Sequence, residues 1–407
     1  MGIIHILLLV LSALLAIALI KPIASLIKLP FALLLVVFGF MGSELITTLG
    51  MDIGLRWDQY HYLVFYLLLP ALIFESTLRI DIKNLLQNLA AILLLSIPLM
   101  LFATIMSAGL LFWGIGFPAY FTFSTALLTG AILSATDPAA VISLLKQVGA
   151  SDRLVTLLEG ESLFNDALAI LLFGILSSLL LMPGNEISFA YSLGEFLKIF
   201  LGGLAVGGGT LLVFGCLFLM ISNHFSRIIL TICAAYVGYL VAEYFLHLSG
   251  VMSVLVTGLG FGQLIRRNGT ASDKQFLFSF WEFNNHLASA LIFVLLGVTI
   301  TWGMFELQWL AMLIGIGSVL LARASGLLFT APVINLLPGM EIDWRDQLIL
   351  YWGGMRGAVA IALALSLPLE IDAWFTIQSI AYGVVLFSLG IQATTTPLLI
   401  NKLDKRT

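Results

Sequence analysis

The chain has 407 residues, of which 61% are apolar and 10% charged, with a formal net charge of −4 and a mean hydropathy of +1.11. Soluble domains run nearer about 45–50% apolar and about 25% charged, so a water-soluble globule is excluded and no nucleic-acid partner is expected. Apolar runs near the roughly 20 residues that cross a bilayer recur along the chain, and its solvent is therefore lipid.

In chain order the runs predict spans at roughly 3–20, 29–47, 62–78, 87–112, 119–148, 155–181, 190–221, 225–246, 249–265, 275–301, 307–336, 345–367 and 374–400. That is an all-α membrane protein of about 13 transmembrane helices. The first run lacks a basic flank before it and reads as a retained helix, not a cleaved signal. With the N-terminus outside, the inner loops collect Lys21, Lys28, Arg79, Lys83, Lys146, Arg153, Arg227, Arg266, Arg267, Lys274, Arg345, Lys402, Lys405 and Arg406. Outer loops keep only Arg56 and Lys198, beside acids such as Glu44, Asp52, Asp58, Glu370 and Asp372. The positive-inside rule then puts the C-terminus in the cytoplasm. Cys216 and Cys233 fall within spans, where a disulfide framework is not expected. The histidines His5, His61, His224, His247 and His286 show no metal spacing, and the Asn268-Gly269-Thr270 sequon lies on the inner side. The run of residues 1–407 reads as one transporter domain without a soluble regulatory domain.

Shifting the chain by 219 residues lays Ala71-Leu72-Ile73-Phe74 on Ala290-Leu291-Ile292-Phe293 and Gly39 on Gly258. The same shift lays spans one to six on spans eight to thirteen. Copies separated by seven helices must be inverted, so residues 1–185 and 222–404 are expected to form inverted repeats joined by a linker helix at about 190–221. Transporters built this way bind their ions where discontinuous helices of the two halves meet. Asp137-Pro138 aligns with Arg356-Gly357, which makes spans five and twelve the candidate broken, crossing pair.

Ionisable residues inside spans are costly and mark function by default. They concentrate here: Glu75 in span three, Asp137 in span five, Glu159, Glu161 and Asp166 in span six, Arg323 in span eleven and Arg356 in span twelve. Thr136-Asp137-Pro138 joins a carboxylate to a proline that frees carbonyl oxygens, the hard ligands an alkali cation needs. A kink with a capping Asp would leave the same trace. In span six, spacing of four stacks Glu161 over Asn165 and Ser162 over Asp166; a polar seam between packed helices is the alternative. Arg356, in Gly353-Gly354-Met355-Arg356-Gly357, reads as a fixed counter-charge. Glu243 and Glu282 lie at span ends. Gly202, Gly203, Gly207, Gly208 and Gly209 suit a close helix contact or a dimer face.

Four segments carry a family resemblance: Ala135-Thr136-Asp137-Pro138, Glu159 through Asp166, Phe74-Glu75-Ser76 and Gly353 through Ala358. Together they resemble the sodium/proton exchanger branch of the cation:proton antiporters, in its prokaryotic NhaP type. The resemblance implies that Asp166 binds the ion and the proton, with Asp137, Ser162 and the Thr136 carbonyl completing the coordination. It further implies that Glu75 bonds Asn165 and reaches the ion through water, and that Glu161 pairs with Arg356. The partner of Arg323 is left open between an acid and freed helix carbonyls. A homodimer in the cytoplasmic membrane, moving by an elevator, is also implied, with Na⁺ and H⁺ as substrates and no cofactor.

The expected activity is electroneutral exchange of one Na⁺ for one H⁺, because Asn165 stands where related electrogenic exchangers carry a second carboxylate. K⁺ or Li⁺ exchange at the same oxygens is the nearest rival and a cation channel a more distant one. An enzyme is not expected: H-E-x-x-H and G-x-S-x-G are absent and no nucleophile stands beside a histidine base.

Overall fold

The computed structural model describes residues 3–27, 29–48, 61–116, 120–181, 189–337 and 341–404. Lys28, Asp52, Arg56, Asp58, Lys405 and Arg406, named above, lie outside them, as does the side chain of His5. Among the described residues the regular elements are all helices and there is no strand, the outcome demanded of apolar backbone that has no water to bond.

The helices are α1 (Ile3–Ile27), α2 (Phe31–Thr48), α3 (Leu69–Arg79), which follows a π-helical turn at Leu63–Leu68, α4 (Ile82–Gln87) and α5 (Leu89–Ile115). Next come α6 (Phe123–Ser134), α7 (Ala139–Gln147), α8 (Asp152–Leu181), α9 (Phe189–Met220) and α10 (His224–Leu240), which runs into a π turn at Val241–Phe245. The remainder are α11 (Gly250–Asn268), α12 (Ala271–Thr299), α13 (Trp302–Ile334), α14 (Trp344–Trp352), α15 (Ala358–Leu365), α16 (Trp374–Phe387) and, after a π turn at Ser388–Gln392, α17 (Ala393–Asp404). Each expected span coincides with a helical segment. Nine segments among the described residues are long and apolar enough to cross a membrane by themselves, so the figure of thirteen crossings remains an expectation. The segment α11 ends in Arg266 and Arg267.

The chain forms two compact units. The first comprises Met1–Val64, Asn88–Leu181 and Ser289–Thr407, and the second Phe65–Gln87 and Met182–Ala288. In the first unit α5 packs along α13, α13 along α16, and α6 against α5 and α8. In the second, α11 is the centre, packed against α9, α3 and α10. Phe74, Phe218, Phe261 and Trp281 are buried there, and the Trp281 indole donates to Thr231 at 3.0 Å.

The repeat signal has a reciprocal packing counterpart. Gly39 of α2 sits so close to Val294 and Gly297 that a Cβ would overlap their backbone, and its shifted equivalent Gly258 sits equally close to Phe74 and Thr77 of α3. The helix α2 is thus pressed onto α12 and α11 onto α3, and only glycine permits that approach. In the second unit Gly203 of α9 meets Ser249, which caps α11, and Gly207 meets Ser253 of α11, whereas Gly208 and Gly209 face open space. The glycine stripe is therefore accounted for in part by packing within the chain.

Candidate functional site

Two helices of the first unit are interrupted at mid-span, and the interruptions touch. The first lies between α6 and α7. Ala135 leaves the helix at φ −58° and ψ 135°, Pro138 has no N–H to continue the ladder, and proline disfavours helical geometry at Asp137. The second lies between α14 and α15, where glycines admit close neighbours: a Cβ on Gly354 would overlap the Arg323 guanidinium, and one on Gly357 would overlap the Asp137 side chain. The breaks are joined by a backbone bond, Asp137 N–H to the Met355 carbonyl at 2.8 Å.

The charge placement follows from the four helix ends this creates. The Asp137 carboxylate accepts from the Ala139 N–H at 3.1 Å and also meets the Ala358 N–H. It therefore stands over the positive ends of α7 and α15 together. The negative ends face arginines. Arg356 Nη1 donates to the Ser134 and Ala135 carbonyls, each at 3.2 Å, at the close of α6. Arg323 donates to the Leu350 carbonyl near the close of α14, from Nε at 3.0 Å and Nη2 at 2.7 Å. Carbonyls orphaned by a helix end are thus satisfied by cations that also suit the dipole.

Arg323 has a second partner. Its fork grips Glu161, Nη1 to Oε1 at 2.7 Å and Nη2 to Oε2 at 3.2 Å, with both side chains buried. The expected pairing of Glu161 with Arg356 is therefore corrected. Arg323 reaches Glu161 from α13, while the Arg356 guanidinium turns to the end of α6 and remains only in the electrostatic field of Glu161 and Asp166. The choice left open for Arg323 resolves to both candidates, an acid and a freed carbonyl.

On α8 the stacked stripes face the first break. Asn165 Nδ2 donates to the Thr136 hydroxyl and to Glu161 Oε1, both at 3.2 Å, and the Ser162 hydroxyl donates to the Thr136 carbonyl at 2.5 Å. Asp166 lies against the Thr136 backbone and in the field of Asp137 and Arg356. Its Oδ1 is buried without a hydrogen-bond partner, as is Asn165 Oδ1. Asp137, Ser162 and Asp166 are half-buried, whereas Thr136, Glu161, Asn165, Arg323 and Arg356 are buried. The less deeply buried residues of the cluster are thus two aspartates and a serine. An unpaired buried carboxylate oxygen is costly, and a proton or a hard cation satisfies it.

Glu75 belongs to the second unit, where it is buried and paired with Arg79 one turn on; Arg79 also meets Glu282 at 3.0 Å. Glu159 pairs with Lys146 at 3.0 Å, half-exposed at the start of α8, and stands apart from the inner cluster. Glu243 accepts from the Gly250 N–H at 2.8 Å. Two polar residues were missed: Ser388 and Gln392, buried beside the second break. The signal was available as a serine and a glutamine four residues apart in an apolar span.

Helices interrupted at mid-span, crossing, and holding carboxylates against helix ends define a secondary ion transporter. Residues 10–402 match the family model for the transmembrane sodium/hydrogen exchanger, and the chain belongs to that family. It is 35% identical over 406 residues to the Na(+)/H(+) antiporter ApNhaP of Aphanothece halophytica, across 97% of this chain and 74% of that one. The low-affinity Na(+)/H(+) antiporter NhaS1 of Synechocystis is likewise 35% identical, over 98% and 74%. Among solved structures the sodium proton antiporter MjNhaP1 of Methanocaldococcus jannaschii superposes with a TM-score of 0.84 over 99% of this chain and 100% of that one, at 23% identity, and shares its fold.

Proposed function

We propose that this protein is an electroneutral Na⁺/H⁺ antiporter of a prokaryotic cytoplasmic membrane, exchanging one Na⁺ for one H⁺ at Asp166 and serving sodium and pH homeostasis. Asp166 takes either ion. Asp137, Ser162 and the Thr136 carbonyl supply the remaining oxygens. The observation that carries the reading is the unpartnered Asp166 Oδ1 beside Asp137 and Ser162. The relatives' names supply the ion pair.

Charge balance supports the stoichiometry. With Asp137, Asp166 and Glu161 ionised against Arg323 and Arg356, the cluster carries one negative charge in excess. A single Na⁺ or a single H⁺ neutralises it, and Asn165 cannot titrate. Such a cycle moves no net charge, whereas a two-for-one cycle would gain about 2.3 kcal/mol per 100 mV. The inverted halves 1–185 and 222–404, linked by 190–221, give alternating access as a homodimer with the N-terminus outside.

The test is a pH-gradient assay on purified protein in liposomes. Na⁺ should dissipate an imposed gradient while K⁺ does not. Equal rates with K⁺ would make the protein a K⁺/H⁺ exchanger on the same oxygens, and Na⁺ current without proton counter-transport would make it a channel.

A further inference from the structure

The second break leaves backbone groups that need partners, and these come from the π turn Ser388–Gln392. The Arg356 N–H donates to the Ser388 hydroxyl at 3.2 Å. That hydroxyl donates in turn to Gln392 Oε1 at 2.8 Å, and Gln392 Nε2 reaches the Trp352 carbonyl at 3.4 Å. Trp352 closes α14 and Arg356 lies in the unwound stretch that follows. Both side chains are nearly inaccessible, Ser388 at 1% and Gln392 at 3%. π turns are rare and recur at functional sites because they re-aim side chains.

The chain of contacts continues beyond Arg356. Its guanidinium holds the Ser134 and Ala135 carbonyls, and the next residue is Thr136, whose carbonyl accepts from Ser162. We propose that Ser388 and Gln392 are positioning residues for the ion site: they fix the Arg356 backbone, and through its guanidinium they set where the Thr136 carbonyl points. This rests on the ion-site reading above and adds to it a distant determinant of Na⁺ affinity. Polar residues needed only for folding would affect yield and melting. Residues that aim a ligand carbonyl act on the apparent KM for Na⁺.

The experiment measures Na⁺-driven proton exchange in proteoliposomes and thermal melting in detergent for wild type, Ser388→Ala, Ser388→Thr and Gln392→Met. Ser388→Ala and Gln392→Met should each raise the KM for Na⁺ by about twofold to tenfold, the range of one lost hydrogen bond, with Vmax at the wild-type value and a small fall in melting from the unpaired backbone group. Ser388→Thr, which keeps the hydroxyl, should keep the wild-type KM. Gln392→Met preserves volume while removing both polar ends, so it carries the test if Ser388→Ala does not accumulate. Unchanged KM in these variants, or a fall in Vmax and melting at constant KM, would overturn the proposal while leaving the ion site intact. Wild type without Na⁺-driven exchange would instead overturn the ion-site reading and this proposal with it.

Discussion

At the first break a proline interrupts the helix and at the second glycines do, and each break lends the other a side chain: Arg356 caps the close of α6 and Asp137 meets the start of α15. The positions are equivalent under the 219-residue shift, and both leave one N-terminal and one C-terminal helix end inside the unit. The two N-terminal ends share a single anion, Asp137, while each C-terminal end has its own arginine. The comparison separates a fixed side from an adjustable one. Arg323 and Arg356 are buried and tied to backbone carbonyls, whereas Asp137 and Asp166 are half-buried. This difference in burial supports the proposed exchange at Asp166, with the two arginines as fixed counter-charges.

The comparison breaks most completely at Asp166. Asp166→Asn should reduce exchange to background while the protein still folds and purifies; transport surviving in that variant would remove Asp166 from the centre. Next in size are changes on the fixed side. Glu161→Gln leaves the Arg323 guanidinium without its carboxylate, a loss of about 3–5 kcal/mol for a broken buried pair, visible as a fall in folded yield. Adding Arg323→Gln should recover part of the yield. Adding Arg356→Gln should not, and recovery with Arg356 alone would restore the pairing rejected here.

Smaller effects sharpen the same contrast. Gly357→Ala forces a methyl onto Asp137 and should cost about 1–3 kcal/mol, as overpacking does, with lowered transport measured against the melting temperature. The smallest expected effect is none at all. If one charge leaves for each that enters, the equilibrium set point in proteoliposomes should not move with an imposed potential. A shift equivalent to one charge per cycle would point to Glu75 or Asp137 as a second titrating group.

Much of this architecture is legible in the sequence because lipid leaves few choices. Span positions follow from apolar length, and the breaks from Pro138 and from Gly353, Gly354 and Gly357. The site was legible where spacing along one helix decides it, as for Ser162, Asn165 and Asp166 on α8. It was not legible where partners come from distant helices. Nothing in the spacing tells whether Glu161 meets Arg323 or Arg356, which lie on separate helices and differ only in the direction each guanidinium takes. Ser388 and Gln392 were missed for the same reason: their partners are backbone groups, which carry no residue identity to read.

The most direct measurement is proton release on sodium addition to purified protein in weakly buffered detergent solution. Binding a cation at a protonated carboxylate must expel the proton. About one H⁺ should be released per Na⁺ bound by wild type and none by Asp166→Asn. Sodium binding without proton release in wild type, or release undiminished in Asp166→Asn, would contradict the claim that the two ions compete for this carboxylate.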